Sequence, residues 1–443
     1  MRKSVAKIIS VNRDCEAVCA SAAKMSTQPG NAWEIFEKSR VSETNTSLIG
    51  KVLASGHKSV IEHAVFSIAF WDVSVFVEQF FIECRLASFT VKSRRYVDFR
   101  NLGYLIPEEL EGASRDLYTR HMETLFDGYR QLLDLDVPKE DARFLLPYCF
   151  CSNFYCTLNA RELATAISAI RFGRGRNIPE LQSIADQLTE QLKEIYPALL
   201  SELEHGAEAP TDECRWSDAP VSFVSTADAG AVKLVSAPVE PMALLETAHA
   251  IAHPGSKLDL DALITDPRPR ELEQLSYGFV ISDLTLSGLT HLVRHRMQSI
   301  AVPSLLTADH SRVILPDSVR DNAQAKAIYE QTLEAARAIR LEAAKDEALR
   351  PYGYYFALSG NVVTVMSTMN AREMRLFVRL RSCTRAQWEI RKVAIDALRL
   401  VRKSFPELFG KMGPSCFVNG VCPEGKMTCG RKAEMLEKFG GEL

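Results

Sequence analysis

The chain has 443 residues, with 53 Lys and Arg against 56 Asp and Glu, a net charge of −3. Its 47% hydrophobic and 25% charged residues are ordinary for a globular protein and exclude wholesale disorder and fibrous classes. The faint acidity does not suit a general nucleic-acid binder.

No apolar run reaches the roughly 18 residues of a membrane helix. The opening Met1-Arg2-Lys3-Ser4-Val5-Ala6-Lys7 lacks the apolar core of a signal peptide. Eleven cysteines, an odd number with several in apolar runs (Cys84, Cys149, Cys151, Cys156), predict mostly free thiols in a reducing cytoplasm. There is no Walker loop, and Gly173-Arg174-Gly175 is not a Rossmann fingerprint.

The chain repeats itself. Arg85, seven residues and Ser93 recur as Arg296, seven residues and Ser304. Leu158-Asn159-Ala160-Arg161-Glu162 recurs as Met369-Asn370-Ala371-Arg372-Glu373. All these pairs share an offset of 211 positions, which points to a diverged tandem duplication. Copy one spans 1–205 and copy two 231–412. An Ala/Asp/Ser/Thr/Pro-rich linker, 206–230, joins them, and a Gly/Cys-rich tail, 413–443, follows.

In chain order, Lys7–Ser10 predicts a strand, Val65–Phe70 another, Val75–Leu86 a helix and Glu108–Leu135 a long helix ending before Pro138. Copy two predicts strands at Val232–Ser236 and Phe279–Ile281, then helices at Leu284–Arg296, Asn322–Leu349, Met369–Arg381 and Ala386–Ser404. Strands and helices mix without a βαβ rhythm, so the expected class is α+β.

Arg294-His295-Arg296, followed by Ser299 and Ser304, offers guanidiniums and hydroxyls suited to an anion. Arg372, Arg375 and Arg379 share one helix face and, if packed, need an anion to meet them. His57 and Glu62 lack the spacing of a metal pair and suit a polar, ligand-binding loop. Cys416, Cys422 and Cys429 lie among glycines, but at spacings looser than Cys-x-x-Cys and without an assigned fourth ligand. They are weak metal candidates; Cys214 or Cys383 is a conceivable fourth, and ordinary thiols are the preferred reading.

These residues resemble the flavin-dependent thymidylate synthases. The family's Arg-His-Arg, seven residues, Ser stands as Arg294-His295-Arg296…Ser304. Its Gly-His-x-Ser-x-x-Glu-His loop is similar to Gly56–His63, its Ser-x-Arg-Tyr to Ser93-Arg94-Arg95-Tyr96, and its Asp-Ala-Arg-x-x-Leu-Pro to Asp141–Pro147. The closing Leu-Arg and Ala-Gln-Trp-Glu-Ile stand only in copy two, as Leu380-Arg381 and Ala386–Ile390.

The departures are complementary. Copy one has Glu83-Cys84-Arg85 for Arg-His-Arg and Ile170 at the offset of Arg381. Copy two has Arg268 and Arg270 in place of His57 and Ser59, and Tyr354 in place of Arg143. Family sites are shared between subunits, so the resemblance implies an intramolecular pseudo-dimer with one surviving composite site. His291, Val91, Val302 and Leu376 stand where the family usually has Gln, Glu, Glu and Asn.

The resemblance implies reductive methylation of dUMP with FAD, NADPH and methylenetetrahydrofolate. Flavin- and folate-dependent methylation or hydroxymethylation of another pyrimidine nucleotide such as UMP, or a nucleotide-binding pseudoenzyme, is the alternative. Arg381 and His295 would be catalytic. Arg294, His291, Ser93, Arg94, Arg95 and Arg143 would bind substrate. His57, Ser59, Glu62, His295, Arg296, Asn159, Arg161, Asn370 and Arg372 would hold FAD. The resemblance also implies small-molecule partners, no nucleic acid or membrane, and a homodimer of chains.

Overall fold

A computed structural model describes residues 2–307 and 309–441. The chain divides into two compact units. Unit 1 comprises Met1–Gln131, Leu146–Arg215 and Ala335–Phe356; unit 2 comprises Leu132–Leu145, Trp216–Glu334 and Ala357–Leu443. Each unit therefore includes a short segment of the other sequence copy. Among the described residues, no helix is long and apolar enough to cross a membrane.

Unit 1 holds a four-stranded antiparallel sheet in the order Val5–Val11, Val65–Ser74, Cys151–Asn159, Ala87–Val91. Alternation puts Phe66, Ile68, Phe70, Phe154, Cys156 and Leu158 in the core, with Phe70 stacked on Phe154 at 4.4 Å. Helices Ala160–Arg171 and Pro179–Ile195 bury Leu163, Ile167, Leu181, Ile184 and Leu188. Gln187 and Gln191 hydrogen-bond both the amides and the carbonyls of the first strand, so that edge is covered by side chains.

Unit 2 repeats the plan with Ala231–Ser236, Ser276–Thr285, Val362–Asn370 and Ser299–Ala301 in the same order. The 211 offset carries register onto register: Phe66 pairs with Leu158 and Tyr277 with Met369, Ser88 with Thr157 and Ser299 with Thr368. Both second strands bulge at an aspartate in the left-handed region, Asp72 and Asp283, each with φ 52°. In both units a buried glutamate at the start of a later helix accepts hydrogen bonds from the residue that caps the helix following the second strand. Glu180 takes Ser74, and Glu389 takes Thr285.

Four local expectations are revised. The helices after the second strands are shorter, Val75–Ile82 and Leu286–Leu292, and each is followed by a strand. Gln298 stops the second one: its Nε2 donates to the carbonyl of Leu292 at 2.5 Å, and its Oε1 accepts from Ser367. The long helices run Gly112–Asp134 and Ala323–Ala343. The 206–230 stretch contains a strand, Ser222–Ser225, paired in parallel with Arg312–Leu315. The tail carries the helix Lys432–Gly440, tied down where Arg402 donates to the carbonyls of Phe409, Met412 and Phe439.

Candidate active site

Arg294-His295-Arg296 lies in the turn between Leu286–Leu292 and Ser299–Ala301, not on a helix. The turn folds His295 inward until 4% of it is exposed, edge-on to Phe377 at 4.9 Å. Its Nδ1 donates to Glu373 Oε1 at 3.2 Å, and its Nε2 accepts from Arg381 Nε at 2.9 Å.

Burial pushes the His295 pKa down, and the Arg381 charge pushes it the same way, while Glu373 opposes both. The ring is therefore neutral at ordinary pH, with its Nε2 lone pair committed to Arg381. His295 orients a guanidinium from behind. That orienting role stands beside the cofactor contact the resemblance implies.

Asn370 caps the helix Ala371–Arg381, its side chain accepting from the Glu373 amide at 2.9 Å, and Asn159 does the same for Glu162. These caps start the helices that carry Arg381 and Arg161. Arg372 pairs with Glu273, and Arg161 with Glu62 at 2.6 Å. Glu273 stands 211 residues after Glu62, so copy two kept the glutamate of the His/Ser/Glu loop while losing its His and Ser. The shared offset would have revealed this.

Arg375 donates to the carbonyls of Ile264 and Asp266, and Arg379 donates to Ser415 Oγ. Those two arginines close loops and need no external anion. On the same helix Leu376 and Leu380 are exposed.

Arg143 lies in the exchanged segment, in unit 2 with Arg294, His295, Arg296 and Arg381. It is buried, and its Nε donates to the Glu140 carbonyl at 3.1 Å. Asp141 fixes the segment, accepting from Trp388 Nε1 at 2.8 Å and from Ser318 Oγ at 2.6 Å. Burial raises the Glu389 pKa to about 7, with the Thr285 hydrogen bonds and the Arg143 charge opposing. His291 ends the helix Leu286–Leu292 and is half-buried.

His57, Ser59 and Glu62 lie on or beside the turn Lys58–His63 of unit 1. Ser93 Oγ accepts from the Arg95 amide, and the Arg95 guanidinium lies 5.4 Å from the Tyr96 ring. Arg94 is 5% exposed and bonded to the fully buried Glu78, which also accepts from Ser152. It meets an internal carboxylate, a role beside the substrate contact the resemblance implies.

Unit 1 has the same positions filled differently. Cys84 stands where His295 does, and burial raises its thiol to about 12. Ile170, where Arg381 stands, is fully buried. Glu83 is neutralised by Arg174 and receives Gln79 at 2.8 Å. Tyr354, where Arg143 stands, packs on Phe76 at 4.5 Å. No guanidinium remains at either of the two arginine positions.

All eleven cysteines are free thiols. Cys416 is raised by burial, with Cys383, Cys422 and Cys429 acting on it, and Cys429 is lowered by a hydrogen bond from Thr384. These thiols do not gather at metal-ligating separations; among the described residues that happens only at His249, His253 and Glu271.

A helix-covered antiparallel sheet holding an arginine against a buried His–Glu pair defines an α+β protein with a built cationic centre. The family described as "Thymidylate synthase complementing protein" matches residues 7–198 and 245–407. The chain belongs to that family, the flavin-dependent thymidylate synthases.

It is 35% identical over 185 residues to the flavin-dependent thymidylate synthase of Geobacter sulfurreducens, covering 41% of this chain and 79% of the relative. The Clostridium tetani enzyme is 33% identical over 230 residues, covering 48% and 90%. A solved structure of the UMP/dUMP methylase PolB from Streptomyces cacaoi matches at 22% identity, 45% of this chain, 95% of that chain and a TM-score of 0.38. A likeness that slight carries no argument.

Proposed function

We propose that this chain is a flavin-dependent thymidylate synthase that reductively methylates dUMP at C5. One observation carries the proposal: Arg381 is anchored through Nε by a neutral, buried His295, itself held by Glu373. A guanidinium held this way is preorganised to stabilise negative charge on a pyrimidine as it develops. It needs no reorganisation when the charge appears, because burial and Glu373 have already set the ring.

The residues present fit FAD. Arg372 and Arg296 offer cationic donors, while exposed Leu376, Leu380 and Met297 offer apolar surface beside them. That combination matches a diphosphate attached to a flat ring system. Bound FAD would supply hydride, replenished from NADPH, with methylenetetrahydrofolate giving the carbon.

The chain's own residues bind and orient. Within unit 2, Arg294 and Arg143 would neutralise the substrate phosphate, with His291 at its rim; Ser93 and Arg95 are the substrate-binding candidates of unit 1. In unit 2, Asn370 seats the helix that presents Arg372, which would hold FAD with Arg296; in unit 1, Asn159 seats the helix of Arg161, a flavin-binding candidate with His57, Ser59 and Glu62. We propose one such site per chain, and chains paired as homodimers.

Purified protein tests the proposal. Flavin absorption and tritium release from 5-tritiated dUMP, dependent on methylenetetrahydrofolate and NADPH, are expected. Turnover of UMP but not dUMP would move the reading to the ribonucleotide, and protein without flavin or turnover would overturn it.

A further inference from the structure

We propose that His249, His253 and Glu271 form a site for one divalent transition-metal ion of the zinc type. The inference is independent of the flavin chemistry. The helix Pro241–Ala252 carries His249, and His253 closes that helix. Four residues apart, the two imidazoles lie on one side, with ring centroids 4.9 Å apart. Glu271, 6% exposed, enters from the turn Arg270–Gln274. Its Oε1 lies 3.2 Å from both His249 Nδ1 and His253 Nε2. One ligand atom from each of the three falls within 4.8 Å of the others.

The outer nitrogen of His249 is also engaged: its Nε2 lies 3.1 Å from Ser256 Oγ. A partner on that nitrogen is how ligating histidines are ordinarily oriented, and it leaves Nδ1 facing the Glu271 carboxylate.

Two imidazoles and one carboxylate suit zinc, cobalt or nickel, whereas magnesium and calcium prefer all-oxygen sets. Tetrahedral zinc with bonds of about 2.0–2.1 Å places its ligand atoms roughly 3.3 Å apart, close to the 3.2 Å between Glu271 Oε1 and each imidazole nitrogen. Three protein ligands leave a fourth position open, and the half-exposed His253 leaves a way in. Glu271 also lines a cavity of about 360 Å³ with Leu244, Thr247 and Ile251. Val60 stands 211 residues before Glu271, so copy one lacks the carboxylate and the site belongs to copy two. An ion here would clamp the helix to the turn bearing Glu273, the partner of Arg372.

The test titrates the chelator-treated full chain with Co²⁺, read by visible absorption, with Zn²⁺ as competitor. One Co²⁺ per chain is expected, with four-coordinate d–d bands, no thiolate charge-transfer band, and displacement by Zn²⁺. His249→Ala with His253→Ala should weaken binding by roughly a hundredfold or more, and Glu271→Gln, which keeps the side chain's shape, should weaken it by roughly tenfold or more. Cys422→Ser with Cys429→Ser should leave it unchanged. Circular dichroism checks that each variant folds. Binding unchanged in the histidine variant, a thiolate band lost in the cysteine variant, or no Co²⁺ bound below about millimolar concentration would each overturn the proposal.

Discussion

Replacing Glu389 by Gln should make unit 2 less sensitive to alkaline pH. Glu389 is fully buried, accepting from the Thr285 amide at 2.7 Å and from the Thr285 hydroxyl. Burial raises its carboxyl from 4.5 to about 7, against the opposing Thr285 hydrogen bonds and Arg143 charge. Below the unfolded value the group is protonated in both states and carries no penalty. Between 4.5 and 7 the folded state binds the extra proton, so stability falls as pH rises; above 7 the loss is complete.

That displacement corresponds to about 3 kcal/mol in all. Between roughly pH 5 and pH 8 the wild-type chain should lose about 2.5 kcal/mol relative to Glu389→Gln, which does not titrate. Trp388 reports locally, because it sits one residue away and its indole donates to Asp141. Urea unfolding followed by Trp388 fluorescence, with Trp33, Trp71 and Trp216 changed to Phe, gives the difference at each pH. Parallel curves for the two proteins, or a difference growing toward acid, would refute the reasoning.

Four further outcomes are expected. Arg381→Ala and Arg294→Ala should each lower turnover by about 100- to 1,000-fold in folded protein, measured by tritium release; near-normal turnover removes the site assignment. Glu373→Gln should lower kcat by roughly tenfold or more with flavin binding retained, because it loosens His295 and hence Arg381; loss of flavin with kcat intact would make Glu373 a cofactor contact instead. Arg94→Ala should cost about 3–5 kcal/mol in unfolding, leaving Glu78 charged and buried, whereas a stable variant with raised substrate KM would assign Arg94 to the substrate site alone. FAD titration with solution mass measurement should give one FAD per chain in a dimer; two per chain, or activity surviving Arg95→Ala with Arg143→Ala, would end the single-site reading.

The duplication was legible because 211 separates whole motifs, and the same number carries strand register from one sheet to the other. The α+β class and most long helices followed from periodicity and local chemistry, which act within a few residues. Glu273 was legible in principle at the same offset and was overlooked because its neighbours had changed.

What the sequence could not decide depends on contacts between distant residues. Arg94 and Arg95 are adjacent, yet Glu78 takes one inward while the other lies beside Tyr96. His295 looked like a ligand-facing histidine. Its neutrality and orienting role exist only because Glu373 and Arg381, on a helix 78 to 86 residues later, close on its two nitrogens. The exchanged segment 132–145 brings Arg143 into the unit of Arg381, and the 3.2 Å approach of Glu271 to two histidines is set by a helix and a turn meeting. Local preferences choose the elements; burial of charge, which costs too much unless a partner arrives, decides which distant side chains must meet.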